Sequence, residues 1–139
     1  MMYNAARDER GRPMQEELST LFAGEHVKDY LQVWKHTLLE AVRADIPDLN
    51  NRQMALMLLI YLEEGPHTVR ALAERLGVSK PVISRALDAL GRLGLLKRKR
   101  DEQDRRNLFV QRTVKGAVYL NDFAEFIGQS AQTDDHRTS

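Results

Sequence analysis

The sequence contains no cysteine among its 139 residues. This absence excludes disulfide-stabilised folds, thiolate metal sites and cysteine nucleophiles. The longest apolar run covers residues 54–62, well short of the ~20 residues that a membrane-spanning helix needs. No charged segment followed by an apolar stretch and a small-residue cleavage site is visible near residue 1, so we expect no signal peptide. These absences favour a cytoplasmic protein with no membrane partner.

Neither apolar nor charged residues are scarce. Hydrophobic residues make up 42% of the chain and charged residues 29%, a balance typical of globular domains. A chain of this length holds one domain with one modest core. The four histidines have no metal-ligand spacing, and we find no catalytic grouping of side chains and no phosphate-binding loop. We therefore expect no cofactor, no metal and no enzymatic activity.

The charged residues are distributed unevenly, although the net charge is only +1. Residues 65–115 hold 13 Lys/Arg against 5 Asp/Glu, whereas both flanks are acidic. A basic centre of this kind is typical of a surface that binds an anionic partner. The alternative is a solvated charged hairpin without a partner, and the charge alone leaves both interpretations open.

Amphipathic helices are predicted before the basic centre. Residues 1–12 have little apolar content, so we expect them to be disordered. Residues 13–64 are predicted to form helices for the core and for dimerisation, because apolar residues recur every three or four positions between residues 26 and 44.

A further helix is predicted to begin after Asn50. Asn50 and Gln53 have the spacing of a capping box, in which each side chain bonds the other residue's backbone amide. The apolar stripe of this helix is expected to contain Met54, Leu58, Tyr61 and Leu62.

Residues 65–113 are predicted to contain two short helices joined by a tight turn. Thr68 has the position of an N-cap for the first helix, and Gly77 allows a left-handed backbone in the turn. Ser79 is expected to cap the second helix, with Pro81 in its first turn, where a missing amide costs little. The apolar spacing around this turn predicts a helix-turn-helix, although other helical pairs share such spacing.

Two strand-like segments follow at residues 95–99 and 108–112, and the polar loop between them predicts a hairpin. A last helix over residues 114–128 has apolar side chains on more than one face, so we expect it to take part in dimerisation. Residues 129–139 are expected to form a disordered tail. The predicted fold class is mainly α with a small β-hairpin wing: a winged helix-turn-helix with helical dimerisation elements at both ends.

A family resemblance covers residues 68–120, which read TVRALAERLGVSKPVISRALDALGRLGLLKRKRDEQDRRNLFVQRTVKGAVYL. This stretch resembles the DNA-binding lobe of MarR-family transcriptional regulators. The resemblance is densest in GVSKPVISRALDALGRLGLLKR and in the D-x-x-D-R-R motif that starts at Asp101. Family members usually have a longer final helical pair, so the arrangement of the dimer stays open. The resemblance implies a homodimeric regulator that binds a palindromic site in double-stranded DNA.

In such a unit the second helix enters the major groove by its N-terminal half. Arg85 is the best candidate for reading a base, because its planar fork donates twice to guanine; alternatively, it pairs with Asp88 or only solubilises the helix. Lys80 is expected to hold a phosphate. The other outward residues of this helix are Ser79, Pro81, Val82 and Ser84. At the start of the preceding helix, Thr68 and Arg70 could also reach the DNA backbone.

The wing carries a cluster of basic residues. The resemblance implies that Asp104 and Arg106 match the family's Asp-x-Arg pair, in which the Arg enters the minor groove and the Asp supports the wing. Arg105 is an alternative for the minor-groove role, since spacing does not fix the loop register. The alternative for the whole cluster is an exposed network of ion pairs. Its remaining basic members are Arg98, Lys99 and Arg100.

Two further interpretations stay open. Tyr30, Trp34 and Met54 are expected in the core, or else along a cleft in which the resemblance implies a small-molecule effector. The chain could also be a winged-helix module for protein–protein interaction or scaffolding, whose basic wing binds an acidic partner. The sequence does not identify the operator, the target genes or the direction of regulation.

Overall fold

The computed structural model describes residues 7, 9–11, 14–104 and 108–137, with side chains up to residue 130. None of the described helices is long and apolar enough to cross a membrane. The described elements, in chain order, are α1 (Met14–Leu21), α2 (Val27–Arg43), α3 (Asn51–Leu62), β1 (His67–Thr68), α4 (Val69–Leu76), α5 (Lys80–Arg92), β2 (Leu96–Arg100), β3 (Leu108–Arg112) and α6 (Val114–Arg137).

Local capping signals place the helix starts as the sequence predicts. The capping box of α3 is complete: the Gln53 amide donates to Asn50 Oδ1 over 2.8 Å, and the Asn50 amide donates to Gln53 Oε1 over 3.0 Å. The Thr68 hydroxyl accepts from the Ala71 amide at the start of α4. Gly77 ends α4 with φ 67, the left-handed conformation that glycine adopts without a Cβ penalty.

The prediction for Ser79 is correct in position but wrong in its hydrogen bond. Ser79 is the N-cap residue of α5 and has extended backbone angles, but its side chain makes no capping bond. Pro81 lies in the first turn, as predicted. Since proline has no amide of its own, the first turn has fewer donors for a cap to satisfy.

The sheet has one strand more than the predicted hairpin. β2 and β3 pair antiparallel with Arg98 opposite Val110, and β1 adds to the other edge of β3 with Thr68 opposite Phe109. The strand order is therefore β1-β3-β2. A two-residue strand has no periodicity, which is why the sequence does not show β1.

We call residues 51–112 the winged domain, and it holds nearly all of the buried core. The fully buried side chains come from α3, from α5 and from the two residues at the entry to β2. The largest of them are Leu56, Met57, Ile60, Ile83, Leu87, Leu90, Leu95 and Leu96. The predicted stripe of α3 is confirmed for Met54 and Tyr61, which pack against the core, and wrong for Leu58 and Leu62, which are exposed while Leu56 and Ile60 are buried. Nine of the twelve residues of α3 are apolar, so periodicity does not identify its inner face.

Helices α1, α2 and α6, the flanking helices, are much less buried. Tyr30 is 70% exposed and Trp34 58% exposed, so the prediction that they lie in the core is wrong for the single chain. Met54 does pack against the core of the winged domain. Helix α6 is continuous to Arg137, beyond the predicted end at residue 128. The prediction for residues 1–12 falls mostly outside the described residues.

One junction joins the winged domain to α6. The Tyr61 hydroxyl donates to the Leu95 carbonyl over 2.6 Å and accepts from the Thr113 amide over 2.9 Å. The Thr113 hydroxyl accepts from the Gly116 amide and so caps the start of α6. A Cβ on Gly116 would overlap both the Tyr61 hydroxyl and the Leu95 carbonyl. Glycine is therefore required for this close approach of α6.

Candidate nucleic-acid interface

The turn between α4 and α5 positions three of the predicted site residues together. Ala73 is buried where the two helices meet, and the Val78 amide donates to the Ala73 carbonyl over 3.1 Å. Around this turn an open groove is lined in part by Arg70, Ser79 and Lys80. Arg70 is highly exposed and lies 3.6 Å from Glu74 across one helical turn, an ion pair of small energetic value. Two cations and a hydroxyl thus line the groove together with Glu74.

The N-terminus of α5 opens toward the same groove. Because the Ser79 side chain makes no capping bond, its hydroxyl remains available to an external acceptor. The first backbone amides of a helix lack internal partners, and the helix dipole places partial positive charge there. Such a terminus favours an anion, above all a phosphate oxygen.

The predicted contact residues on the outward face of α5 differ in how exposed they are. Lys80, Pro81 and Arg85 are exposed, whereas Val82 and Ser84 are half-buried. In the part of the chain that the structure describes, the Arg85 guanidinium has no hydrogen-bond or ion-pair partner. The alternative pairing of Arg85 with Asp88 does not occur, because Asp88 pairs with Arg98 over 3.1 Å. Arg85 therefore projects from α5 with all its donors unused by the described residues.

Arg98 is engaged within the winged domain instead of projecting from the wing, which corrects the sequence interpretation of an available cation. One terminal nitrogen lies 3.1 Å from Asp88, and the other donates to the Ser84 carbonyl over 2.9 Å. Its side chain is 25% exposed, and its Nε is buried without a described partner. These bonds attach β2 to α5 and set the position of the wing relative to that helix. No periodic pattern in the sequence predicts this contact.

The wing itself presents cations on both sides of β2. Lys99 and Arg100 are exposed as predicted. Lys97, which was not among the predicted site residues, is exposed as well. At the start of the loop the Gln103 amide donates to Asp101 Oδ1 over 2.9 Å, a turn that orders the chain after β2. Asp104 is exposed. The predicted minor-groove residues Arg105 and Arg106 lie outside the described residues, so their roles stay predictions.

The sheet is held to α3 by arginine side chains that sequence reasoning missed. Arg112 donates to the carbonyls of Ile60 and Glu63, each over 2.8 Å, which satisfies backbone acceptors at the end of α3. Arg75 on α4 forms a two-bond ion pair with Glu63 over 2.7 and 2.9 Å. The hydrogen bond from Arg75 and its charge hold the pKa of Glu63 below its ordinary value. These contacts attach α4 and β3 to the C-terminal end of α3.

A separate cavity of about 530 Å³ lies between α2, α3, the loop that joins them and α6. Trp34 and Met54 line it, as the cleft interpretation expects, but Tyr30 does not. The Tyr119 hydroxyl donates to the Pro47 carbonyl over 2.9 Å and so ties α6 to the loop after α2. Burial, and next the charge of Asp48, raise the pKa of Tyr119 to about 12. The hydroxyl therefore stays protonated at neutral pH.

Comparisons with known proteins show which proteins this chain resembles. The MarR family model matches residues 48–107, while no curated protein matches the chain. A mutant of S. aureus MepR bound to an oligodeoxyribonucleotide is similar in structure with a TM-score of 0.71, at 23% identity over 88% of this chain and 84% of that one. The transcriptional regulator Tm0710 from Thermotoga maritima is similar with a TM-score of 0.67, at 22% identity over 91% of this chain and 81% of that one.

A third similar structure is the PcaV transcriptional regulator from Streptomyces coelicolor in complex with its natural ligand. It has a TM-score of 0.54 and 25% identity over 81% of this chain and 79% of that one. At such identities the structural likeness concerns the fold, and the family match over residues 48–107 adds the sequence of the winged domain. The predicted winged helix-turn-helix fold is confirmed, with the third strand as an addition. The MarR family model thus matches the winged helix-turn-helix of residues 48–107, and the chain has the fold of these solved structures over most of its length.

Proposed function

We propose that this protein is a sequence-specific, double-stranded DNA-binding transcriptional regulator that acts as a homodimer. The observation that carries the proposal is the outward face of α5, where Arg85 projects without a described partner beside the cations of the α4–α5 groove. A helix of this size fits the major groove, and an adjacent basic hairpin reaches the neighbouring backbone or minor groove. A protein of this kind is non-enzymatic and works in the cytoplasm.

The proposed contacts divide into those that read bases and those that position the protein. Arg85 donates to the O6 and N7 acceptors of a guanine. Pro81 and Val82 contact a thymine methyl group, and Ser84 bonds a base edge or a phosphate. The phosphate contacts come from charged or hydroxyl groups and from the start of α5, and the residues that supply them are Thr68, Arg70, Ser79 and Lys80.

The proposed wing contacts are chiefly electrostatic. Lys99 and Arg100 are exposed and neutralise phosphates, and Lys97 joins them. Arg106, or Arg105 in its place, enters the minor groove with Asp104 supporting the loop. Arg98 holds the wing on α5 and leaves DNA contact to its neighbours. Arg98, which was predicted to contact DNA, therefore has a structural role instead.

The homodimer is supported by the apolar surface of the flanking helices. Leu18 and Leu21 of α1, Leu31 of α2 and Val118 of α6 are all exposed in the single chain. A monomer rarely leaves so much apolar surface in water. Pairing through these helices presents two copies of α5 to one face of DNA, which matches a palindromic site.

The DNA-reading role is tested with a matched pair of arginines on α5. A high-affinity duplex is first selected from random DNA with the wild-type chain. We expect Arg85→Ala to lose about 1–3 kcal/mol of binding free energy on this duplex and to lose base preference at one position in each half-site. Arg92→Ala, at the C-terminal end of α5, is the control and keeps the preference.

Three outcomes contradict parts of this proposal. Equal weakening of Arg85→Ala on all duplexes assigns Arg85 to a phosphate instead of a base. Selection that recovers a sequence without two-fold symmetry contradicts the proposed dimeric recognition. A chain that binds no duplex at low salt is not a DNA-binding regulator, and an interaction module for an acidic protein then takes its place.

The dimer is tested separately from DNA binding. Val118→Glu places a charge on an exposed apolar position of α6, and we expect the molecular mass in solution to fall to that of one chain. Lys115→Glu on the same helix is the control, because an acidic residue in the first turn suits the helix dipole. A wild-type chain that is monomeric at micromolar concentration would contradict this part of the proposal.

A further inference from the structure

The groove between α4 and α5 holds an acidic side chain at a place where the proposed function needs cations. Among the described residues that line this groove, Arg70 and Lys80 are positive and Glu74 is negative. The Glu74 side chain is 73% exposed, so its charge faces any molecule that enters the groove. A carboxylate at this place opposes the approach of a DNA phosphate.

The core of the winged domain fixes the position of Glu74. Leu72 and Ala73 are buried, which sets the rotation of α4 against its neighbours. The Gly77 amide donates to the Glu74 carbonyl over 3.3 Å at the end of the helix. Residues four apart lie on the same face of a helix, so Arg70 and Glu74 face outward together. The acid is therefore held beside the cation by the helix itself.

Helix stability does not account for the order of these two charges. Arg70 is in the first turn of α4 and Glu74 is in the last. The helix dipole favours acids at the N-terminus and bases at the C-terminus, so each residue occupies the less favourable end. An acid four residues before its basic partner also pairs better than one four residues after it. The reason for this order lies outside the helix, in the groove that both side chains line.

The ion pair between the two side chains is weak and open to exchange. Arg70 Nε lies 3.6 Å from Glu74 Oε1, and both side chains are largely exposed. Such a pair adds little to the stability of the fold, but it turns the guanidinium toward the carboxylate. A phosphate that comes close can replace the carboxylate, because guanidinium and phosphate form short, often two-pronged hydrogen bonds.

The pair is expected to act differently in two kinds of DNA complex. On a duplex of unrelated sequence, α5 is not seated in the major groove, and Arg70 stays with Glu74. On the selected duplex, α5 is seated and α4 crosses the backbone, so a phosphate lies within reach of Arg70. There the phosphate takes the place of Glu74.

We propose that Glu74 is a specificity-determining residue, which withholds Arg70 from duplexes that do not seat α5. The carboxylate thereby lowers the affinity for unrelated sequences more than the affinity for the selected duplex. This inference rests on the proposed DNA-binding function, to which it adds an acidic residue that acts against binding.

The test is Glu74→Gln, which removes the charge and keeps a good helix former in α4. We expect the affinity for a duplex of unrelated sequence to rise about fivefold at about 0.1 M salt, and its salt dependence to steepen by about one phosphate contact. The affinity for the selected duplex should rise by about twofold or less, because Arg70 already meets a phosphate there.

The control for net charge is Glu64→Gln. Glu64 is an exposed acid of the winged domain that does not line the groove, and its replacement changes the net charge of the chain equally. We expect either affinity to change by less than about twofold, since exposed charges beyond a Debye length are largely screened.

The dependence on Arg70 is tested in a double-mutant cycle with Arg70→Ala. In the Arg70→Ala background, Glu74→Gln relieves only the repulsion between carboxylate and phosphate, because no guanidinium is left to release. We therefore expect its gain on the unrelated duplex to fall from about fivefold to about twofold.

Three results overturn the proposal: a gain from Glu74→Gln no larger than that from Glu64→Gln, an equal gain on both duplexes, or an equal gain in both backgrounds. The last two would mean that the carboxylate only repels DNA. A wild-type chain that binds duplex DNA while Glu74→Gln has no effect refutes this inference alone. A wild-type chain that binds neither duplex refutes the proposed DNA-binding function and this inference with it.

Discussion

The winged domain buries its large apolar side chains, whereas the flanking helices leave many of theirs exposed. Of the thirteen large apolar side chains exposed in the described residues, eleven belong to α1, α2 and α6, and only Leu58 and Leu62 belong to the winged domain. Conversely, the fully buried large side chains all lie in the winged domain. The winged domain thus buries its large apolar side chains, with Tyr119 of α6 completing its core, whereas the flanking helices are left with surface for another molecule.

The charges follow the same division. Cations concentrate in the winged domain and the residues that border it, and both ends of the chain are acidic. A surface that meets a polyanion needs positive charge and a rigid support, while a surface that meets a second protein copy needs apolar area. The difference indicates that one chain carries two separate binding surfaces, each with its own chemistry.

The largest expected effect compares a leucine from each region. Leu87→Ala removes a fully buried side chain from the winged domain and should lower the free energy of unfolding by about 2–5 kcal/mol. Leu39→Ala on α2 removes a side chain that is half in water and should cost less than ~1 kcal/mol in dilute protein. Urea denaturation followed by circular dichroism measures both. Equal losses would contradict the division between a closed and an open region.

The junction between the two regions is tested with two glycines of α6. Gly116→Ala places a Cβ against the Tyr61 hydroxyl and the Leu95 carbonyl and should cost about 1–3 kcal/mol by overpacking. Gly128→Ala on the same helix meets no described atom and should stabilise the helix by up to ~1 kcal/mol. Thermal unfolding distinguishes the two. A harmless Gly116→Ala would mean that α6 does not approach the winged domain this closely.

A smaller effect is expected at the bond between the wing and α5. Arg98→Met leaves Asp88 and the Ser84 carbonyl without their partner, and partial exposure limits the folding cost to roughly 1 kcal/mol. Duplex affinity should fall as well, because the wing loses its fixed position. Lys97→Met, one residue earlier on β2, should weaken the duplex complex without lowering the melting temperature. A melting temperature unchanged by Arg98→Met would refute the structural role.

The smallest effect concerns acid stability at the Glu63–Arg75 pair. The pKa of Glu63 is lowered by the hydrogen bond and charge of Arg75, so its contribution is present above the ordinary value of 4.5 and is lost as the pH falls through the lower folded value. The difference in melting temperature between the wild type and Glu63→Gln should therefore close on acidification. A gap that widens in acid would contradict the assignment.

The elements that the sequence predicts correctly depend on neighbours a few residues apart. Thr68, Asn50 and Gly77 act within one helical turn, and their caps and turn are where local chemistry puts them. β1 and the Arg98–Asp88 pair depend instead on residues brought together by folding. The exposure of Trp34 depends on which faces the rest of the chain covers, and a single apolar stripe does not determine that.

The candidate site shows the same limit. Residue type and spacing were enough to identify the outward face of α5, because buried positions recur regularly between its exposed ones. They did not distinguish the role of Arg98 from that of Lys99, because alternation over only five strand residues does not show which side chain faces the protein. Only the packing of β2 against α5 shows that Arg98 turns inward.

The salt dependence of duplex affinity tests the central claim most directly. If the basic surface of the winged domain binds phosphates, the logarithm of the affinity for the selected duplex should fall linearly with the logarithm of salt concentration. With roughly six phosphates neutralised, the loss between 50 and 200 mM salt is about a thousandfold. An affinity that stays constant over that range would contradict the account, because it would mean that the exposed cations around α5 and β2 do not meet a nucleic-acid backbone.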